Sequence, residues 1–325
     1  MENHFVKNIS FENFKCFKKL EFDGFKRVNL IGGQNNVGKT SFMEGVNLSV
    51  YSEDALKLHT NIRQMIKSRQ NDDIDIDFFY NDENVINIKT NNKNVKIIYI
   101  KDPSKENRMI TTPYFNLIVG YSEFELDIYD FCNDKIIIKD DYHFIHSFKA
   151  DEEYIASLYG QLTNLGKEDY IDNSLKIFDE NIIGIRQIFN NNKVTLKLKL
   201  KYREKPVLLS SFGEGINRYI AIICAIWSSK DGYLFIDEIE NGIHYTNYPK
   251  LWKLIFEISN EANCQVFAAT HSKECIEAFN KENKDNDGLY LEFYRNQKTG
   301  LINIKDRDNE QLEYALLNNG EFRGE

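Results

Sequence analysis

Residues 33–40, GQNNVGKT, have the residue types and the spacing of a loop that binds phosphate groups. Four residues separate Gly33 from Gly38, and Lys39 and Thr40 follow directly. Glycines let successive backbone N–H groups curl around phosphate oxygens, the lysine supplies a mobile cation, and a threonine hydroxyl is a typical Mg²⁺ ligand. We therefore predict that this loop binds the phosphates of a nucleotide and that Thr40 lies at the metal.

The segments around this loop predict the strand, loop and helix that phosphate binding requires. The mainly apolar segment VNLI at 28–31 indicates a buried strand, and TSFMEGVNLSV at 40–50 indicates the helix that follows. The N-terminus of that helix adds a positive dipole beside the phosphates. We also assign Asn35 and Asn36, which lie within the loop, to the nucleotide site.

Two adjacent carboxylates, Asp237 and Glu238, follow the apolar run YLFI at 233–236. An unbroken apolar run of this length suits a central parallel strand that is covered on both faces. Carboxylates at the C-terminal end of such a strand lie where open α/β sheets bind their ligands. We predict that Asp237 shares the Mg²⁺ site with Thr40 and that Glu238 orients or deprotonates the attacking water.

A histidine has the corresponding position after the next apolar strand. The run VFAA at 266–269 precedes Thr270 and His271. A neutral imidazole can donate one ring N–H to a phosphate oxygen while its other nitrogen is held by the protein. We predict that His271 senses the terminal phosphate and acts as a catalytic group together with Glu238 and Lys39.

The stretch SFGE at 211–214 is a glycine-bearing turn placed before a strongly apolar helix. Apolar residues recur at 216, 219, 220, 223, 226 and 227, which is the spacing of an amphipathic helix over 215–227. The N-terminus of that helix can direct backbone N–H groups and the Ser211 hydroxyl at an anion. The turn is therefore a second candidate phosphate site.

The order of these motifs resembles the ABC-type ATPase heads of the SMC, RecF and OLD group. Residues 209–276 resemble, more closely, small bacterial ABC-type ATPases of the AAA family. The resemblance implies that Ser211, Gly213 and Glu214 bind the nucleotide of a second protomer, with ATP and Mg²⁺ as cofactors. It also implies that Ser41 belongs to the nucleotide site of its own protomer. Phe212 stands where the signature of this family normally has a glycine.

The same resemblance implies an α/β fold: a P-loop ABC-type ATPase head with a mixed central sheet, an inserted antiparallel β lobe and a helical lobe. We predict that residues 1–50 and 194–325 form the nucleotide-binding core and that residues 51–193 form the inserted lobe. Short β-like runs separated by Asn/Asp-rich turns occupy residues 71–150, whereas residues 151–189 look helical.

The remaining segments predict simpler elements. The alternating pattern at 195–206 predicts an edge or hairpin strand, residues 291–308 predict a β-hairpin, and residues 309–320 predict a closing helix. The resemblance implies a glutamine that couples the Mg²⁺ site to the inserted lobe, and Gln64, Gln70 and Gln161 are unassigned candidates for it. We expect the Toprim nuclease of OLD-type proteins to be missing, because its acidic strand pattern does not occur.

Composition sets limits on the class of protein. The chain has 325 residues, of which 42% are hydrophobic, so it can bury a large core. Its net charge of −9 argues against broad coating of nucleic acid, although a local basic patch could still bind it. The five cysteines form no CxxC pair, the N-terminus lacks the pattern of a signal peptide, and the longest apolar run is too short to span a bilayer. We expect a cytoplasmic protein that does not bind a membrane.

Three functions remain open at this point. The first is an ATP-hydrolysing homodimer, or a higher oligomer, that controls a separate nuclease or toxin subunit in a bacterial phage-defence or toxin–antitoxin module, a context implied by the resemblance alone. The second is a RecF-like DNA-binding ATPase of DNA repair or maintenance, with Lys197, Lys199 and Lys201 on the phosphates. The third, suggested by Phe212, is a sensor that binds ATP and hydrolyses it slowly.

Overall fold

The computed structural model describes residues 4–68, 78–81, 83–102, 112–133, 143–147, 152–190 and 193–318. The strands are β1 (Asn8–Phe14), β2 (Phe17–Asp23), β3 (Val28–Gly33), β4 (Val85–Thr90), β5 (Asn94–Ile100), β6 (Tyr114–Val119), β7 (Ser122–Asp127), β8 (Phe144–Ile145), β9 (Ile182–Asn190), β10 (Lys193–Leu200), β11 (Val207–Leu208), β12 (Tyr233–Ile236), β13 (Gln265–Ala269), β14 (Gly288–Arg295) and β15 (Ile302–Arg307). The helices are α1 (Lys39–Tyr51), α2 (Ala55–Lys67), α3 (Ile128–Asn133), α4 (Glu152–Asn164), α5 (Glu168–Phe178), α6 (Glu214–Ser228), α7 (Tyr248–Glu261), α8 (Lys273–Glu282) and α9 (Asn309–Leu317).

A six-stranded mixed sheet forms the centre of the fold, in the order β15-β14-β3-β13-β12-β8. The five strands from β14 to β8 are parallel, and β15 is antiparallel to β14. The C-terminal ends of β3, β12 and β13 therefore meet at one edge of the sheet. The α/β fold with a mixed central sheet, predicted from the sequence, is confirmed.

The central strands are apolar along their whole length because both faces of the sheet are covered. Leu234 and Ile236 of β12 lie in a core formed with α4, α6 and α7. Phe235, between them, lies in a second core formed with α1 and the other large sheet. Alternate side chains of one strand thus pack into two different cores, which explains the unbroken apolar run in the sequence.

The second large sheet is antiparallel, in the order β2-β1-β4-β5-β6-β7. Strands β4 to β7 form the antiparallel part predicted for residues 71–150. They continue directly into β1 and β2, since Ile9 of β1 pairs with Thr90 of β4. The antiparallel sheet is thus shared between the first 50 residues and the insertion, and the division of the chain at residue 51 stays a prediction. Two of the predicted β-like runs, DIDIDFFY at 73–80 and KIIIKDDYHF at 135–144, lie mostly outside the described residues, at 73–77 and 135–142.

Two other expectations differ from the structure. Residues 151–189 were expected to be helical, and α4 and α5 are helices, but residues 182–190 form strand β9. The reason is strand pairing: β9 forms a hairpin with β10, with Ile185 opposite Leu198, and both side chains are buried. Strand β10 is the middle strand of the three-stranded sheet β11-β10-β9, so its prediction as a hairpin strand holds and its prediction as an edge strand is wrong.

The other predicted elements are present. The phosphate-loop strand and helix are β3 and α1, the apolar helix is α6, and β14 and β15 form the predicted antiparallel hairpin, followed by α9. In α6, twelve of the fifteen residues are buried, because α4 and α7 pack on either side of it. Within the described residues, no helix combines the length and the apolar character needed to cross a membrane.

Candidate functional site

The phosphate loop connects the end of β3 to the start of α1. Its backbone has a positive φ at Gly33 (130°), Asn36 (59°) and Gly38 (83°), the region that favours glycine or asparagine. A Cβ atom on Gly33 would lie 2.2 Å from the Phe293 carbonyl oxygen, and one on Gly38 would lie 2.5 Å from the Cys16 Sγ. The two glycines are therefore required both by the turn and by the packing beneath it.

Lys39 begins α1 and its side chain folds back over the loop, with only 5% of its surface exposed. Its Nζ donates to the Gly33 carbonyl at 2.9 Å and to the Gln34 carbonyl at 2.7 Å, and lies 3.2 Å from Nδ1 of His271. Burial lowers the pKa of Lys39 to about 8, against the opposing effect of nearby acids, first among them Asp237. Two backbone carbonyls and one imidazole nitrogen thus hold the ammonium group beside the loop, and they offset only part of the cost of burying its charge.

The other predicted loop residues lie on the outside of this turn. Asn35 and Asn36 are exposed, and the Asn36 carbonyl accepts a hydrogen bond from Arg295 at 3.3 Å. Ser41 is half-buried in the first turn of α1, near Cys16. Their roles as nucleotide ligands stay predictions.

Thr40 and Asp237 come into direct contact, as the sequence predicts for a shared metal site. The Thr40 hydroxyl donates to Oδ2 of Asp237 at 2.9 Å. Burial raises the pKa of Asp237, and the bond from Thr40 opposes that rise. Two oxygen ligands of this kind fit Mg²⁺, which usually keeps several waters and binds through one or two protein groups plus phosphate oxygens. Among the described residues, no cluster of three or more His, Cys, Asp or Glu suited to a metal occurs.

Glu238 is held in a turn directly after Asp237. It has a positive φ of 46°, which is uncommon for a side chain of this kind. Asn241 donates through Nδ2 to Oε2 of Glu238 at 2.6 Å and to the Ser147 carbonyl at 3.0 Å. The carboxylate of Glu238 is thus oriented by a side chain in its own loop and tied to the residues that follow β8.

His271 lies at the C-terminal end of β13, in contact with Lys39. Burial lowers the pKa of His271, and the charge of Lys39 lowers it further, so the ring is neutral at pH 7. An ammonium group only donates, so Nδ1 of His271 accepts at the 3.2 Å contact and Nε2 carries the proton. The backbone N–H of His271 donates to Oε1 of Glu240 at 2.6 Å. The imidazole can therefore offer an Nε2–H donor to a phosphate oxygen.

The turn at 211–214 lies at the start of α6. Ser211, Gly213 and Glu214 are exposed, and the side chain of Phe212 packs against the core beneath them. Gly215 lies so close to the loop after Glu238 that an added Cβ would be 2.4 Å from the Gly242 carbonyl. The substitution of the usual glycine by phenylalanine thus leaves the polar groups of the turn accessible.

Sequence reasoning missed two side chains of this site. Arg218 is buried and donates to backbone carbonyls at the ends of β8 and β12, and Asn241 orients Glu238. A basic residue within the buried stretch of α6 was the available signal for Arg218. Among the unassigned glutamines, Gln64 lines a small cavity of about 30 Å³ with Glu44 and His146, and Gln70 lies outside the described residues.

Comparison with known proteins finds relatives in sequence and in fold. Residues 147–276 match the family model of the AAA ATPase domain. The chain is 26% identical to a Helicobacter pylori (strain ATCC 700392 / 26695) protein described as an ATP/GTP phosphatase. The alignment is 383 positions long, gaps included, and covers 96% of this chain and 98% of that protein. In fold it is similar to an SMC head solved bound to the C-terminal winged-helix domain of ScpA, with a TM-score of 0.56, 12% identity, and coverage of 94% and 99% of the two chains.

The fold is thus similar in architecture to the head of an SMC protein, and residues 147–276 are similar to the AAA ATPase domain. The AAA ATPase match and the phosphatase relative support ATP hydrolysis as the activity of this chain.

Proposed function

We propose that this protein is a Mg²⁺-dependent ATPase that pairs with a second copy around ATP and whose paired and separated states control a separate effector subunit. The observation that carries the proposal is the division of the predicted ligands between two places. Lys39, Thr40, Asp237 and His271 are joined by direct contacts at one edge of the sheet, whereas Ser211 lies exposed on another element.

The residues at the sheet edge account for binding and hydrolysis. The loop N–H groups and Lys39 hold the phosphates, and Thr40 and Asp237 would hold Mg²⁺, which neutralises charge on the phosphate oxygens when bound. Glu238, oriented by Asn241, positions the attacking water and accepts its proton. His271 donates Nε2–H to the terminal phosphate.

The exposed turn supports the pairing. Ser211 supplies a hydroxyl donor, and the first N–H groups of α6 have no partners within the helix. An exposed helix N-terminus of this kind is suited to a phosphate supplied by another molecule. We propose that Ser211, Gly213 and Glu214 bind the ATP held by the Lys39 loop of the second copy.

Control of an effector is the finer part of the proposal. The SMC head with the similar fold was solved bound to a domain of a second protein, ScpA, which supports a partner-binding role for this fold. We propose that residues 51–193, inserted between the phosphate loop and the rest of the nucleotide-binding core, serve such a partner in the bacterial cytoplasm. A nuclease or toxin of a phage-defence or toxin–antitoxin module is the proposed effector.

Purification from the native host tests this control. Glu238→Gln should retain a partner in the presence of Mg·ATP, and Lys39→Ala, which cannot hold the phosphates, should retain less of it. Mass spectrometry would identify the retained subunit. If the chain alone cleaves nucleic acid or kills cells, the effector is not separate and this part of the proposal is wrong.

A DNA-binding ATPase is the second candidate function. On β10, Leu196 and Leu198 are buried, whereas Lys199 is exposed and Lys197 is half-buried, so the lysines lie on the outer face of the three-stranded sheet. Lys201 follows as an exposed residue. This arrangement also fits an ordinary solvated strand face.

Salt dependence separates these two cases. DNA binding through these lysines should weaken steeply with salt, and replacing Lys197, Lys199 and Lys201 by glutamine should lower the salt slope by about 1 for each lost phosphate contact. Lys253→Gln on the exposed side of α7 is the matched control and should change nothing. An affinity that is unaffected by the triple change would exclude this face as the DNA site.

A further inference from the structure

Arg218 is a buried cation in α6, one helical turn after Glu214. Only 5% of its surface is exposed, and its neighbours along the helix are buried as well. An apolar side chain would fill this position at no electrostatic cost, since burying a guanidinium is unfavourable unless its partners compensate. The charge at this position therefore needs a reason other than packing.

The guanidinium of Arg218 spans the ends of two neighbouring strands. Its Nη1 donates to the carbonyl of His146, and its Nη2 donates to the carbonyls of Asp237 and Glu238, the last at 3.2 Å. Strands β8 and β12 are parallel with Ile145 opposite Ile236, so His146 and Asp237 leave the sheet at the same level. One side chain thus joins α6, β8 and β12 at the point where the acid pair begins.

Glu238, whose carbonyl Arg218 contacts, also has an unusual backbone conformation. Glu238 has a φ of 46°, a conformation that costs free energy for a residue with a side chain and persists only where the surroundings enforce it. Arg218 fixes the carbonyl groups of Asp237 and Glu238, and Asn241 fixes the Glu238 carboxylate. Together they set the direction in which the Glu238 carboxylate points.

We propose that Arg218 is a positioning residue that couples the helix carrying the exposed turn at 211–214 to the acid pair, Asp237 and Glu238. It acts through these two residues and has no contact of its own with nucleotide. A shift of α6 when a second copy engages the turn would thereby reorient Glu238. This inference rests on the proposed role of Glu238 in hydrolysis.

Replacement of Arg218 tests this role through the separation of binding from turnover. Arg218→Gln should lower kcat by at least about tenfold, because a slightly misplaced general base loses most of its effect, and should change the Kd for ATP by less than about threefold. Arg218→Lys should give an intermediate kcat, since one ammonium group can bond to one or two of the carbonyls but cannot span all three.

Arg27 provides the matched control. It is 9% exposed, lies at the start of β3 at the opposite end of the sheet from the acids, and its Nη1 donates to the Ser259 carbonyl at 3.4 Å. Arg27→Gln should lower Tm, as the loss of a buried guanidinium would, and leave kcat unchanged. If it lowers kcat as much as Arg218→Gln at a similar Tm, Arg218 is only structural.

The remaining outcomes are also decisive. A folded Arg218→Gln enzyme with a kcat within twofold of wild type overturns the inference, and if that variant does not fold, a wild-type kcat in Arg218→Lys does so. Glu238→Gln separates this result from failure of the proposed function. If Glu238→Gln hydrolyses ATP as fast as wild type, the proposed role of Glu238 is wrong, whereas an inactive Glu238→Gln beside a normal Arg218→Gln contradicts only the role of Arg218.

Discussion

At the scale of single residues, burial sets the protonation of the groups predicted to contact phosphate. Burial lowers the pKa of both Lys39 and His271 and raises that of Asp237. The imidazole is thereby kept neutral, and the pKa of Lys39 is brought close to neutral pH. The arrangement favours the arrival of a group that carries negative charge and can compensate the buried lysine.

The pKa of Lys39 predicts a loss of ATP affinity at alkaline pH. The group has a pKa of about 8, so it is charged below that pH and becomes neutral above it. The Kd for ATP should therefore rise as the pH increases from 7 to 9. Calorimetry across this range measures it, with Lys39→Ala as a control that should bind weakly at every pH. A wild-type Kd that stays constant to pH 9 would contradict this expectation.

Glu240 offers a second prediction at this scale. Its Oε1 accepts the backbone N–H of His271, a part-buried donor, and leaving such a donor unpaired costs on the order of 1 kcal/mol. Glu240→Ala should therefore displace His271 and lower kcat by about tenfold, an effect equal to 1.4 kcal/mol. Glu240→Gln retains the acceptor and should remain close to wild type. Equal activity of the two variants would show that this bond does not matter for turnover.

At the scale of elements, the parts that could be predicted are those whose local pattern and structural surroundings agree. The runs at β12 and β13 are apolar throughout because the sheet is covered on both faces, and the phosphate loop has a strict spacing. Strand β9 could not be predicted, since its identity depends on pairing with β10. Strand β8 has only two residues, and its place beside β12 depends on contacts about ninety positions apart.

The contact network of the site was equally hidden from the sequence. The sequence predicts the chemistry of the phosphate loop, the acid pair and His271, because few other arrangements use these residue types at that spacing. Arg218 and Asn241 have no such signature, and their roles depend on carbonyls supplied by distant segments. Sequence reasoning therefore predicted the candidate reacting groups and gave no orienting role to the side chains that contact them.

The phosphate loop itself gives a prediction about stability. Gly33 has a φ of 130°, and a Cβ there would lie 2.2 Å from a backbone oxygen of β14, so Gly33→Ala should lower the free energy of unfolding by at least about 2 kcal/mol. Gly300→Ala is the control, since Gly300 has a φ of 71° but open space around it, and it should cost about 1–2 kcal/mol. Denaturant unfolding measures both. A smaller loss at Gly33 than at Gly300 would mean that the loop relaxes freely.

At the scale of the whole molecule, the central sheet divides the protein into a face covered by α6 and a face covered by α1 and the antiparallel sheet. The phosphate loop follows the central strand β3, and the exposed turn leads into α6. We propose that the exposed turn of a second copy completes the site that one copy begins. ATP should act as the link between the copies, and hydrolysis should release them.

The mass of Glu238→Gln in solution tests this claim most directly. Light scattering after size-exclusion chromatography should give twice the monomer mass with saturating Mg·ATP and a lower mass without nucleotide, because the variant holds ATP without hydrolysing it. Adding Ser211→Arg, a change at an exposed position that blocks the turn, should abolish the dimer while ATP still binds. A Glu238→Gln protein that binds ATP and remains monomeric, or an ATP-dependent dimer unaffected by Ser211→Arg, would contradict the account.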